Sequence, residues 1–196
     1  MNVAPVRLDG WTIRLEPLSL DHAEALFRQA DPGIFEWVLE SPRDGSFAAF
    51  RDWLRTTAIE APASLPFAIV LAATDEPVGA TGFLEIRPVH GSLEIGRTWI
   101  GRAHQGTRVN PESKYLLLRH AFEALDAERV QFKTDLNNVH SQRAIEKLGA
   151  RREGVLRRYQ RRSNGQMRDT VVYSVVRGEW PAVKARLEAR LGVQSS

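Results

Sequence analysis

Between Arg102 and Lys114 the chain reads Arg102-Ala103-His104-Gln105-Gly106-Thr107-Arg108-Val109-Asn110-Pro111-Glu112-Ser113-Lys114, a loop that runs into a helix. Asn110 is a good N-cap, and Pro111 suits the first helical position, where its missing N–H is no loss. Unpaired amides at such an end, backed by the positive end of the helix dipole, form a ready anion site. Gly106 permits close backbone approach, while Arg108 and Lys114 add positive charge. A capped helix after a tight turn reads the same way, so the loop alone leaves both structure and phosphate binding open. It is not a P-loop, which ends in Gly-Lys-Ser/Thr, nor a dinucleotide fingerprint, which needs three spaced glycines in a βαβ setting.

Elsewhere the residue types exclude whole classes of chemistry. The 196 residues contain no cysteine, so there is no disulfide framework, thiolate metal cluster or cysteine nucleophile. The five histidines, at 22, 90, 104, 120 and 140, lack ligand spacing, which predicts no metal site. Charge is unevenly spread. Seven arginines (151, 152, 157, 158, 161, 162 and 168) and one acid, Glu153, give the window from Arg151 to Arg168 a net +6, leaving −3 for the rest of a +3 chain.

The elements that must position these groups follow from periodicity. Trp11 to Pro17 alternates as a half-buried strand. Ser19 opens a helix carrying Ala23, Leu26, Phe27 and Ala30, and a second helix covers about Asp44 to Ile59. Strands are predicted over Pro66 to Ala73, Pro77 to Ile86 and Leu93 to Ile100, an antiparallel meander with turn signals between them. A helix through Tyr115, Leu118, Phe122 and Leu125 follows, then a strand over Val130 to Thr134 and a helix ending at Lys147-Leu148-Gly149. The tail adds strands through Arg151 to Arg157 and Thr170 to Val176, and an amphipathic helix on which Trp180, Val183, Leu187 and Leu191 share a face. This describes one α+β (mixed α/β) domain over residues 1–196, with a core of about 11–177, a C-terminal helix of about 179–192, and a large, mostly antiparallel sheet. The tail helix has an apolar face for its own sheet or for a second subunit in a homodimer. The amino terminus lacks a secretory h-region, and no apolar run approaches the roughly 20 residues of a membrane span, so no membrane contact and a cytoplasmic location are expected.

A second segment sharpens the reading: Thr134-Asp135-Leu136-Asn137-Asn138-Val139-His140-Ser141, continuing to Lys147-Leu148-Gly149-Ala150-Arg151-Arg152-Glu153-Gly154. A Gln-Gly turn before the central helix, Asn-x-x-Ser opening the next helix, and Lys-Leu-Gly followed by Glu-Gly resemble the GNAT superfamily of N-acetyltransferases. The branch most resembled includes the ribosomal-protein N-terminal alanine acetyltransferases (RimJ/RimL-like). The resemblance spans about Trp11 to Val176, and Leu93-Glu94-Ile95-Gly96 matches that branch's fourth strand. One departure is Arg108, where common members carry the second glycine of the turn, with Asn110 replacing the small residue that follows.

The resemblance implies a twisted sheet with splayed fourth and fifth strands, flanked by helices, that takes acetyl-CoA as co-substrate. Its pyrophosphate would lie on Gln105, Gly106, Thr107, Arg108, Val109 and Asn110, and its pantetheine arm against the backbone of Trp99 and Ile100. Asn138 would also touch the cofactor, although it reads equally as an ordinary N-cap. The implied reaction is acetyl transfer to a primary amine, a protein N-terminus or a small molecule, by direct attack in a ternary complex. Glu94 and Glu85 are candidate bases, each also readable as a solvated strand residue, the plainer reading being preferred for Glu85. Glu94 lies six residues before Ile100, hence on the same strand face. Ser141 is the implied acid, though it reads equally as a first-turn serine that satisfies backbone donors, with Tyr159 as a weaker substitute. His104 and His140 read as surface residues, and Trp37 and Trp53 border the acceptor side or pack the core. A competing reading makes the arginine segment an RNA- or ribosome-binding surface with the acyltransferase fold as scaffold; the same cluster could instead hold a ribosomal or acidic partner for the enzyme.

Overall fold

One parallel pairing breaks an otherwise antiparallel sheet. With strands numbered in chain order, β1 (Leu8–Asp9), β2 (Ile13–Pro17), β3 (Leu65–Leu71), β4 (Pro77–Arg87), β5 (Ser92–Ile100), β6 (Arg129–Asp135), β7 (Arg151–Arg161) and β8 (Met167–Val176) form a single sheet in the order β1-β2-β3-β4-β5-β6-β8-β7. The computed structural model describes residues 1–42, 44–162 and 164–193. Only β5 and β6 run parallel, joined by the crossover helix α3 (Val109–Arg119) that such a pair requires. Their register covers Ser92, Leu93 and Glu94 against Arg129, Val130 and Gln131. Beyond that point β5 continues to Ile100 and β6 to Asp135 without pairing, so the two strands part and leave a gap. These are the splayed strands expected from the sequence, shifted by one number because β1 precedes them.

Two apolar clusters fix the layers. The larger packs α3, α4 (Val139–Leu148) and α5 (Trp180–Leu191) on one face, through Leu116, Leu117, Ile145, Leu148 and Leu187 against Phe67, Phe83, Phe132 and Tyr173. The smaller seats α1 (Ala23–Gln29) and α2 (Phe47–Leu54) on the other face, through Leu26, Phe50 and Leu54 against Ala68, Val70 and Trp99. It draws no residue from β6, β7 or β8. Because Val130, Phe132, Val171 and Tyr173 belong to the larger cluster, alternation turns Gln131, Lys133, Asp135, Arg168 and Thr170 to the face that the smaller cluster leaves uncovered.

Local chemistry sets the helix ends, with two departures from expectation. Helix α3 begins at Val109 rather than after Asn110, and its N-cap is Arg108, which makes no side-chain cap. Thr107 takes that role: its hydroxyl accepts from Val109 N–H at 3.3 Å and donates to His104 O at 2.7 Å. Pro111 is therefore the third helical residue, still among those whose N–H has no intrahelical partner. The second helix is α-helical only over Phe47–Leu54, capped by Ser46, and widens into a π turn over Arg55–Ile59. There the Thr56 and Thr57 hydroxyls donate to Asp52 O and Trp53 O, at 2.9 and 2.7 Å, a back-bonding pattern that distorts helices. The tail helix spends its apolar face on its own core: Leu187 is fully buried and Trp180 stacks on Phe122 with ring centroids 5.5 Å apart, which leaves none of that face for a second subunit.

Candidate active site

The rim of the gap is built by the loop from Gly101 to Arg108. Gly101 N–H donates to Val78 O at 2.8 Å, which ties the loop's start to β4. One residue earlier the backbone of Ile100 faces the opposite way, toward the gap. Its carbonyl accepts from Gln105 Nε2 at 2.9 Å, so the Gln105 side chain braces the strand end. The Trp99 carbonyl instead faces Gly79 of β4, where a Cβ would collide with it, and the Trp99 ring is buried against Phe35 and Phe50. Ile100 is thus the residue whose backbone lines the gap. Gly106 sits at φ +74, a left-handed conformation that glycine adopts without strain, with no atom within 4 Å of where a Cβ would stand. Among the described residues, the amides of Gly106, Thr107, Arg108 and Asn110 have no acceptor in the chain. Four free donors at the N-terminus of an 11-residue helix are the chemistry that holds a pyrophosphate. The Asn110 Oδ1, an acceptor, is buried without a donor among the described residues.

Four residues into the helix from Asn110, Lys114 is buried beneath the loop. Its ammonium donates to Thr81 Oγ1 on β4 at 3.1 Å and to Thr98 Oγ1 on β5, and the two hydroxyls lie 2.8 Å apart. No carboxylate among the described residues compensates it, and burial pulls its pKa down from 10.5 to about 7.

A β-bulge re-aims β5 at the gap. Gly82 pairs with Gly96 and Ala80 with Trp99, so one residue of β4 faces two of β5, and Arg97 takes φ +50. This corrects the six-residue spacing argument: the bulge shifts the alternation, so Glu94 shares a face with Trp99, in the smaller cluster, and not with Ile100, in the larger.

On that face Glu94 is 7% exposed and 3.0 Å from Lys133 Nζ. Lys133 also pairs with Glu85, and Gln131 Nε2 donates to Glu85 at 3.0 Å. Glu85 is thus a half-buried partner in an ion-pair network, with Arg87 on its solvent side at 3.1 Å, and not a solvated strand residue. Burial holds the Glu94 carboxyl above its ordinary range, against the opposing pull of Lys133. Tyr159 lies in the same group, its ring 5.4 Å from Lys133 Nζ.

Further along β6, Asp135 is buried, pairs with Arg162 and caps Asn137 N–H at 2.9 Å. The Arg162 guanidinium stands 5.5 Å from the Trp37 ring. Trp53 packs between Phe35 and Phe50 and donates to Glu40 O at 2.7 Å, a core role. Arg168, on β8, is buried nearby, and its Nε donates to Thr170 Oγ1 at 3.1 Å.

At the far side of the gap Asn138 caps α4, its Oδ1 accepting from Ser141 N–H at 3.0 Å. The amide nitrogen of Asn138 is left over, and the half-buried Ser141 hydroxyl has no partner among the described residues. His140 is exposed and His104 half-buried. Sequence reasoning missed Gln131, Lys133, Asp135 and Arg168. The available signal was alternation: in β6 Gln131, Lys133 and Asp135 interleave with Val130, Phe132 and Thr134, yet β6, like the β8 strand that carries Arg168, is interior to the sheet, where neither face is free by default.

Comparison with known proteins agrees with this geometry. The profile of the acetyltransferase (GNAT) domain matches residues 12–151. The uncharacterized N-acetyltransferase p20 of Bacillus licheniformis is 27% identical over 172 residues, 86% of this chain and 94% of p20. An acetyltransferase crystal structure from T. thermophilus is 46% identical with a TM-score of 0.91, covering 97% of this chain and 100% of that one. Mycobacterium smegmatis RimJ, solved in complex with CoA-disulfide, shares the fold at 24% identity and a TM-score of 0.77, covering 96% of this chain and 93% of RimJ. A free-amide helix end, a gap between β5 and β6 and a match over most of the chain point one way: the protein belongs to the GNAT acetyltransferase family and is an acetyltransferase enzyme.

Proposed function

We propose that the enzyme transfers an acetyl group from acetyl-CoA to a primary amine, a protein N-terminus or a small-molecule amine, by direct attack in a ternary complex. The observation that carries this reading is the gap between β5 and β6, with free amides of the α3 N-terminus on its rim and the buried Glu94 beside its apex. Acetyl-CoA supplies a thioester; the chain's residues do the rest. The amides of Gly106, Thr107, Arg108 and Asn110 hold the pyrophosphate, Gln105 braces the Ile100 end of β5, and Val109 anchors the helix in the core. Trp99 contributes through its packing, and the leftover Asn138 amide donates to the cofactor.

Glu94 takes the proton of the acceptor ammonium, directly or through water, and the neutral amine then attacks the thioester carbonyl. Burial raises its pKa, which makes its carboxylate a stronger proton acceptor than an exposed glutamate. The Ile100 N–H faces the gap and would stabilise the developing oxyanion. As the C–S bond breaks, the departing sulfur takes a proton from the free Ser141 hydroxyl, which regains one from the positively charged nitrogen of the tetrahedral intermediate, with Tyr159 as the alternative relay. The exposed arginines of β7 supply a docking edge for an acidic or ribosomal partner.

Thiol release from acetyl-CoA, measured over a panel of peptides and small amines, tests the reading. Glu94→Gln is expected to lower kcat by roughly 10²-fold or more while leaving CoA affinity within about twofold. Absence of CoA binding by calorimetry, or a Glu94→Gln enzyme with normal turnover at every pH, would overturn the assigned roles.

A further inference from the structure

The basic end of the uncovered face holds more guanidinium than its carboxylate can satisfy. Asp135 is the only acid there among the described residues, and it is already engaged by Arg162 and by Asn137 N–H. Arg162 Nε is buried with no acceptor among the described residues. Arg168 is 8% exposed, donates from Nε to the neutral Thr170 hydroxyl, and has no carboxylate within ion-pair distance among the described residues. One buried and one half-buried guanidinium therefore stand near a single carboxylate that pairs with Arg162 alone, and the buried Arg162 Nε is left unused, an arrangement that calls for an incoming acceptor group.

The acidic end lies one step away. Lys133, which holds Glu94 at 3.0 Å, and Asp135, which holds Arg162, are next neighbours on one face of β6, about 7 Å apart at the strand's repeat. A ligand whose ammonium sits at Glu94 reaches Arg162 and Arg168 with a second group only if that group follows within a residue's length.

Resting on the acetyl-transfer reading, we propose that the acceptor is an amine carrying a nearby carboxylate, as in an acidic amino terminus, with Arg162 and Arg168 binding the carboxylate while Glu94 receives the amine. Trp37, stacked on Arg162, forms the wall of this subsite. Burial also lowers the Arg168 pKa, the sign of a cation short of compensation that an anionic ligand would provide.

The test pairs isosteric acceptors: Glu- and Gln-initiated peptides with amidated C-termini, and free glutamate as a separate arm that distinguishes an α-carboxylate from a side-chain one. The Glu-initiated peptide is expected to exceed its Gln twin in kcat/KM by about tenfold or more, the size of one charge-assisted hydrogen bond. Arg168→Gln should collapse that ratio toward one and Arg168→Lys should restore part of it. Both acceptors are measured on the same protein, so partial misfolding cancels. A wild-type ratio near one, or a ratio unchanged by Arg168→Gln, overturns the proposal. If no amine in the panel releases thiol, the transfer reading fails, and the subsite is read by equilibrium binding: N-acetyl-glutamyl amide should quench tryptophan fluorescence at lower concentration than N-acetyl-glutaminyl amide, and equal titrations overturn it.

Discussion

At the scale of single residues, the site depends on groups whose ionisation the fold has altered. Glu94 must be ionised to accept a proton, so kcat/KM is expected to rise with pH through a value above the ordinary carboxylate range. Stability responds to pH with the opposite sign. A carboxyl whose folded pKa lies above its unfolded one contributes stability that is fully present below the ordinary carboxylate range and is lost as pH rises through the raised value. Glu94→Gln should thus gain stability over wild type on going from pH 4 to pH 8 while losing turnover, and denaturant unfolding at the two pH values beside a thiol-release profile checks both. A variant that lost stability and activity together would make Glu94 a structural residue. The identity of Glu94 as a base candidate was legible from its strand and family motif. Its surroundings were not, because the Arg97 bulge re-aims β5 and Lys133 and Tyr159 converge on Glu94 and Glu85 from β6 and β7, strands distant in sequence.

At the scale of elements, helix α3 links the loop from Gly101 to Arg108 to the sheet through two buried charges. Lys114 ties it to Thr81 of β4 and Thr98 of β5, next to the bulge. With its folded pKa near 7 against 10.5, stability is fully present above about pH 10.5 and declines as pH falls through about 7. Wild type is expected to lose stability between pH 10 and pH 7 relative to Lys114→Met, in which that slope disappears; parallel melting profiles for the two proteins would refute it. Glu112, fully buried on the same helix, accepts from the backbone amides of Trp11, Thr12 and Ile13 and from the Thr12 hydroxyl. Glu112→Ala strands these donors and should cost about 3 kcal/mol or more in denaturant unfolding, with Glu112→Gln losing less. Sequence reading placed every major element because periodicity and turn residues are local signals. It misplaced the start of α3 because Thr107 outcompeted Asn110 for the cap, and it missed these tethers because Glu112 and Lys114 reach partners about 100 and 16–33 residues away.

At the scale of the whole molecule, the charge asymmetry seen in the sequence divides in two. Arg162 and Arg168 turn inward to Asp135, whereas Arg157, Arg158 and Arg161 are exposed on β7, the edge strand, and form no ion pair among the described residues. Charged side chains on an edge discourage pairing with another sheet, which by itself accounts for their tolerance there. They also lie on the strand that carries Tyr159 into the site, so their field reaches an acceptor as it approaches. Exposed charges within about one Debye length act on association more than on the bound state, and salt screens them. Replacing Arg157, Arg158 and Arg161 with Gln is therefore expected to leave unfolding stability within about 1 kcal/mol. With an acidic protein acceptor, kcat/KM should fall as salt rises from about 50 to about 300 mM, a range over which the Debye length shrinks from about 14 to about 6 Å. The triple variant should flatten that dependence without changing kcat. A salt slope equal in the two proteins would confine the exposed arginines to guarding the sheet edge and leave acceptor recognition to the inward pair.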